Sequence, residues 1–172
     1  SAQLARFLER EGYERFAAWL YTPMAVSVAQ GLQPTAIIYD CMDELSHFLH
    51  APAGIREREQ ELFECADAVF TGGPSLYRAK QRLHPYVHCF PSSVDVKHFA
   101  SAASVPEARA QARLPRPRFG FFGVIDERMD LDILRHLAAE RPEWTFVIVG
   151  PVAKIDRSAL PWGSNLRYMG QQ

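Results

Sequence analysis

Apolar positions along the chain switch repeatedly between two periods. Residues 35–40, TAIIYD, form a near-continuous β-branched and aromatic run, the pattern of a strand covered on both faces of a parallel sheet. FAAWLYT (16–22), DAVFTGG (67–73), YVHCFP (86–91), RFGFFG (118–123), WTFVIVG (144–150) and NLRYMG (165–170) predict further strands. The segments between several of them keep helical spacing. IREREQELFECA (55–66) places Ile55, Leu62, Phe63 and Ala66 on one face and charges elsewhere, and LDILRHLAAE (131–140) predicts a second such helix. QLARFLERE (3–11) groups Leu4, Phe7 and Leu8 ahead of a stop at Gly12. A helix is predicted from Met24 to Gln30, with a break at Gly31 and Pro34, and Pro74 opens another where proline is tolerated.

Strand and helix therefore alternate, which predicts right-handed crossovers and an open parallel sheet with ligands outside the carboxyl ends of its strands. The rhythm fails in ASAASVPEARAQARLPRP (100–117), a stretch rich in Ala, Ser and Pro that reads as a linker with one helical turn. The expected organisation is a first module over 1–99, a linker over 100–117 and a second module over 118–172. The fold class is α/β, two incomplete Rossmann-like parallel-sheet modules.

Composition narrows the chemistry. With 48% hydrophobic residues the chain can build a core, and 19 Lys and Arg against 20 Asp and Glu give a net charge of -1. No global basic field recruits nucleic acid. No apolar run is long enough to span a bilayer and no leader-like start is read, so a soluble, cytoplasmic protein is expected. Cys41, Cys65 and Cys89 are odd in number and lack C-x-x-C spacing, against both a disulfide framework and a zinc ribbon. His84 and His88 are separated by Pro85 and a strand pattern, so no metal site and no cofactor is expected from them.

Two strand ends carry candidate chemistry. After RFGFFG, Gly123 permits a sharp turn or close approach of a ligand, Asp126 and Arg128 follow, and the next helix aims unpaired N–H groups at the same place. The competing reading is that Asp126 or Asp130 caps that helix and Arg128 is solvated. After TAIIYD, the carboxylates Asp40, Asp43 and Glu44 cluster at a strand end, where they can orient sugar hydroxyls, take a proton or hold a divalent ion. The alternative there is a helix start, with Asp43 as its cap. Gly72, Gly73, Gly123 and Gly150 all stand at carboxyl ends of predicted strands and join Asp126 and Arg128 as candidate substrate-binding residues.

Taken in order, ADAVFTGGPSLYRAK, CFPSSVDVKHF, RFGFFGVIDERMDLDILRHLAAERPEWTFVIVGP and NLRYMGQQ resemble retaining glycosyltransferases of family four, bacterial cell-surface polysaccharide type. SSVDVKHF is similar to the family's N-G-V-D-x-x-x-F hinge, with Ser92 and Ser93 at the first two positions and Val94, Asp95 and Phe99 matching. The resemblance implies a B-type fold of two facing Rossmann-like domains, the acceptor on the first and a nucleotide-activated sugar on the second. It implies a UDP- or GDP-linked donor and a glycan or lipid-linked acceptor. Arg128 would stand in for the family's diphosphate lysine, whereas Val124 stands where the family has an arginine.

The family's first glycine-rich strand-loop and its donor-binding glutamates find no counterpart here. The expectation is accordingly a central fragment, inactive alone, whose unpaired edges favour a homodimer, with peripheral membrane contact of the full-length protein. Two other readings share the architecture: a non-catalytic nucleotide-sugar-binding or assembly module, and a nucleotide-sugar epimerase.

Overall fold

The structure, a computed structural model, describes residues 2–172. The chain divides into two compact units, one up to Val96 and the other from Lys97 onward. Each is a parallel α/β layer, so the chain is α/β with one sheet of four strands and one of three.

The first unit runs α1 (Ala2–Arg10), β1 (Ala17–Leu20), α2 (Val26–Leu32), β2 (Ala36–Cys41), α3 (Ile55–Cys65), β3 (Ala68–Thr71), α4 (Pro74–Lys80) and β4 (Val87–Cys89). Its strands pair in the order β1-β2-β3-β4, all parallel. Each step moves one strand in the same direction, and crossovers of one hand then bring every connecting helix to the same face. Val26 and Ala29 of α2 and Leu62 and Phe63 of α3 accordingly close one core with Ile37, Tyr39, Cys41 and Val69 of the sheet.

That topology corrects the expectation that TAIIYD is covered on both faces. Burial along β2 alternates: Ile37, Tyr39 and Cys41 are buried, whereas Ala36, Ile38 and Asp40 on the opposite face are half-buried. A one-directional strand order supplies no helix layer there. α2 also differs from its predicted form, since Gly31 lies inside it and the turn-out occurs at Gln33 in the left-handed region, φ 52°. In α1 no residue is buried, and Leu4 and Phe7 are exposed. Leu8 on the same face is half-buried, and the Arg10 guanidinium lies 5.5 Å from the Phe7 ring centre.

α5 (Val96–Ala100) begins at the last residue of the first unit, and the second continues with α6 (Arg109–Ala112), β5 (Arg118–Phe122), α7 (Leu131–Glu140), β6 (Thr145–Val149) and β7 (Leu166–Gly170). Within 100–117, where a linker with one helical turn is expected, lie the last residue of α5, a 3-10 turn at Ser101–Ala103 and α6, mostly exposed. The sheet order β5-β6-β7 leaves β6 central. Phe146 and Ile148 of β6, Leu134 of α7, Ile125, Leu160 and Leu166 make the core. β5 is an edge strand in this unit, and Phe122 at its end is 80% exposed.

Candidate functional site

In the first unit the predicted acidic cluster separates into three environments. Asp40 lies on the uncovered face of β2, where its Oδ2 accepts from Trp19 Nε1 at 2.9 Å. Asp43 is an exposed loop residue whose carbonyl accepts from the Cys41 thiol. Glu44 turns back toward the helix layer and pairs at 2.8 Å with Lys80 Nζ, which is 5% exposed. Glu59 pairs with the same ammonium at 2.8 Å and accepts from the Tyr39 hydroxyl at 2.8 Å. A buried ammonium is tolerable only with such partners. Burial pushes Glu44 up, but the hydrogen bond and charge of Lys80 outweigh it, and the carboxyl sits below its ordinary range. Burial likewise opposes the charge on Lys80, yet its two carboxylates hold its pKa above the ordinary value.

Around Asp40 the strand ends form a cavity of about 510 Å³ lined by Trp19, Asp40, Met42, Phe70, Phe90, Pro91, Ser92 and Ser93. Trp19 and Phe70 lie 5.3 Å apart between ring centres, and Phe70 and Phe90 5.1 Å apart edge to face. Gly72 and Gly73 close the carboxyl end of β3. A Cβ on Gly72 would sit 3.0 Å from the carbonyl oxygen of Met42, so a close chain crossing explains this glycine. Gly73 is extended, with open space where a Cβ would go.

In the second unit the backbone itself meets at the strand ends. Gly123 has φ +144° and Gly150 φ +143°, conformations that essentially require glycine. A Cβ on Gly150 would fall 1.8 Å from the Gly123 carbonyl oxygen. Gly123 N–H donates to Val149 O at 3.0 Å, and pairing resumes beyond the glycines when Ile125 N–H donates to Pro151 O at 2.9 Å. Asp126, 4% exposed, takes Arg128 Nε on both carboxylate oxygens, at 3.0 and 3.1 Å, and Nη2 at 2.7 Å. The hydrogen bond from Arg128 holds the Asp126 carboxyl below the usual range. The cap of α7 is Asp130, whose Oδ1 accepts from Asp132 and Ile133 N–H.

Gly123, Val124, Asp126 and Arg128 line a cavity of about 310 Å³ with Phe121 and Met129. Gly150 belongs to another, about 730 Å³, whose walls include Arg157, Trp162, Arg167, Tyr168 and Gly170. The structure thus brings Gly123, Asp126 and Arg128 together, with Gly150 behind the turn, and in the first unit sets Asp40 apart from Glu44. Among the described residues no group of three His, Cys, Asp or Glu is placed to hold a metal ion. No helix among them is long and apolar enough to cross a membrane.

Several site-lining residues were not singled out from sequence: Trp19, Phe70 and Phe90 in the first unit, Arg157, Trp162 and Arg167 in the second. For the first three a signal existed. Trp19, Asp40 and Phe70 occupy one parity of adjacent strands, which puts them on one sheet face once the register is known.

No family model matches the chain. It is 23% identical over 155 residues to the "Putative teichuronic acid biosynthesis glycosyltransferase TuaH" of Bacillus subtilis (strain 168). The alignment covers 81% of this chain and 38% of that protein, so the chain spans well under half the length of the relative it matches. A share of 81% exceeds what either unit contributes alone, so residues of both take part. The chain is a distant relative of a protein named as a glycosyltransferase of polysaccharide biosynthesis.

Proposed function

We propose that the chain is part of a retaining, B-type glycosyltransferase that moves a sugar from a nucleotide-sugar donor to an acceptor in cell-surface polysaccharide synthesis. The observation that carries this reading is the distant similarity to a glycosyltransferase across most of the chain, both parallel α/β units included. The donor binds the second unit. Its diphosphate lies along the turn from Gly123 to Arg128, where the missing side chain of Gly123 lets it approach the backbone. Asp126 fixes the plane of the Arg128 guanidinium through Nε and Nη2, so the group meets the diphosphate already oriented. The nucleoside occupies the neighbouring cavity beside Gly150, between Trp162 and the two arginines.

Chemistry of this kind depends on stabilising the departing diphosphate and the developing oxocarbenium-like centre, and it asks for no strong protein nucleophile. The acceptor binds the first unit at the strand ends near Asp40. One observation favours a second reading, a non-catalytic nucleotide-sugar-binding module: Val124 offers no charge and the Arg128 guanidinium is already engaged by Asp126.

Calorimetric titration with UDP and GDP separates the two readings from a protein that ignores nucleotides. Binding of one of them is expected, and Arg128→Ala is expected to weaken it about tenfold, the worth of a charge-assisted bidentate contact. Indifference of both the wild-type chain and a longer protein to every nucleoside diphosphate would overturn the donor site. Sugar transfer by the longer protein then decides between enzyme and module.

A further inference from the structure

We propose that the cavity of the first unit is a carbohydrate subsite that takes an uncharged sugar ring and rejects an acidic one. The inference deepens the transferase reading, on which its role as the acceptor subsite rests. It begins from the chemistry of the wall. A pyranose presents a face of C–H groups and an edge of hydroxyls, and it needs an apolar platform beside polar groups that fix its orientation. Trp19, Phe70 and Phe90 supply the platform, with ring centres 5.3 and 5.1 Å apart in succession. Their edges and faces are presented to the cavity because no helix layer covers this side of the sheet. Trp19 is 50% exposed and Phe90 62%. The volume, about 510 Å³, lies within the ~300–1,000 Å³ of small-molecule clefts.

The polar groups are as selective as the apolar ones. An ionised carboxylate only accepts hydrogen bonds, so Asp40 recognises donors such as ring hydroxyls or an amide N–H. Among the described residues it takes its hydrogen bond from Trp19 alone, on Oδ2, which orients the carboxylate and leaves Oδ1 for a ligand. Ser92 and Ser93 bring hydroxyls to the rim. No Lys or Arg lines the cavity, so nothing in its wall offsets the charge of Asp40. A uronate or a phosphorylated sugar would place like charges together in a partly apolar cleft, an arrangement that discriminates by repulsion.

The test is saturation-transfer NMR on the whole 172-residue chain, titrated with methyl β-glucoside, methyl N-acetyl-β-glucosaminide and methyl β-glucuronide, with UDP and GDP measured in parallel. At least one neutral glycoside is expected to bind through its C–H face, with the glucuronide at least about tenfold weaker. Asp40→Asn is expected to weaken the neutral glycoside about tenfold and to narrow the gap to the glucuronide. Trp19→Phe keeps an aromatic wall without the N–H donor and is expected to retain part of the binding. Trp19→Ala removes the wall and is expected to abolish binding, and Trp19→Phe keeps the proposal testable if that variant does not fold.

Failure of every neutral glycoside to bind, equal or tighter binding of the glucuronide, or an Asp40→Asn variant indistinguishable from wild type would overturn the subsite. That includes the case in which another polypeptide segment covers this face. Nucleotide binding without glycoside binding sinks the subsite and leaves the transferase reading standing. Glycoside binding without any nucleotide binding, by this chain and by a longer protein alike, leaves the subsite and sinks that reading.

Discussion

Gly150 and Gly123 meet backbone to backbone: this contact explains Gly150, and a φ of +144° explains Gly123, before any ligand is invoked. A Cβ 1.8 Å from a carbonyl oxygen cannot be absorbed by a side-chain shift, because the atom it strikes is backbone. Gly150→Ala is therefore expected to destabilise the second unit by roughly 2–4 kcal/mol, combining positive-φ strain with the clash. Gly73→Ala has an extended backbone and open space, and its stability is expected to stay within about 0.5 kcal/mol of wild type. Urea unfolding of the two variants side by side checks the contrast. The positions of these glycines were legible, since each follows a strand pattern. Their separate reasons were not, because a chain crossing 27 residues away in sequence leaves no mark on either glycine's neighbours.

α7 shows what an element owes to its own residues. Its span of Leu131–Glu140 coincides with the LDILRHLAAE predicted from spacing, and Asp130 caps it by accepting from two backbone N–H groups. Asp130→Ala is expected to cost about 1 kcal/mol, read as faster hydrogen exchange in the first turn of α7 with the rest of the unit little changed. Caps and periodicity act within four residues, so a sequence displays them. β2 is the opposite case. TAIIYD has the composition of a strand buried on both sides, yet its second face holds Asp40 over an aromatic cavity. Which face a helix layer reaches depends on strand order and crossover hand, not on the strand's own residues. α1 carries the same lesson: its apolar stripe is a property of the sequence, while the absence of buried residues is decided elsewhere in the fold.

At the scale of the whole molecule, a buried charge network ties the loop after β2 to α3 and α4 in the first unit. Lys80 is held by Glu44 and Glu59, with the Phe63 ring 5.8 Å away. Lys80→Met removes the cation and leaves two carboxylates without it, and is expected to cost about 3–5 kcal/mol near neutral pH. The sign with pH follows from the shifts. The Glu44 carboxyl is depressed, so its contribution is full above the ordinary value of 4.5 and is lost as pH falls through the lower folded value. The Lys80 ammonium is raised, so its contribution is full below 10.5 and is lost as pH climbs through the higher folded value. Unfolding midpoints of the first unit are thus expected to decline at both extremes. The deficit of Lys80→Met is expected to shrink in acid, where protonation relieves the unpaired carboxylates. Amide exchange in β2 and β3 reports this unit separately from the other.

Local physics wrote the strands, most helix bounds, the α/β class and the glycines at strand ends into the sequence, since each depends on residues within a turn or a strand of one another. Asp40, Asp43 and Glu44 show where that reach stops. Four consecutive-strand register pairs and one buried lysine assign one carboxylate to an aromatic cavity, one to solvent and one to a structural ion pair. Strand parity gives Asp40 its face, Asp43 and Glu44 lie in the loop beyond β2, and the partners of Asp40 and Glu44 arrive from 20 to 40 residues away. Only the tertiary structure brings those distant groups together, and the chemistry available to each carboxylate is set by them.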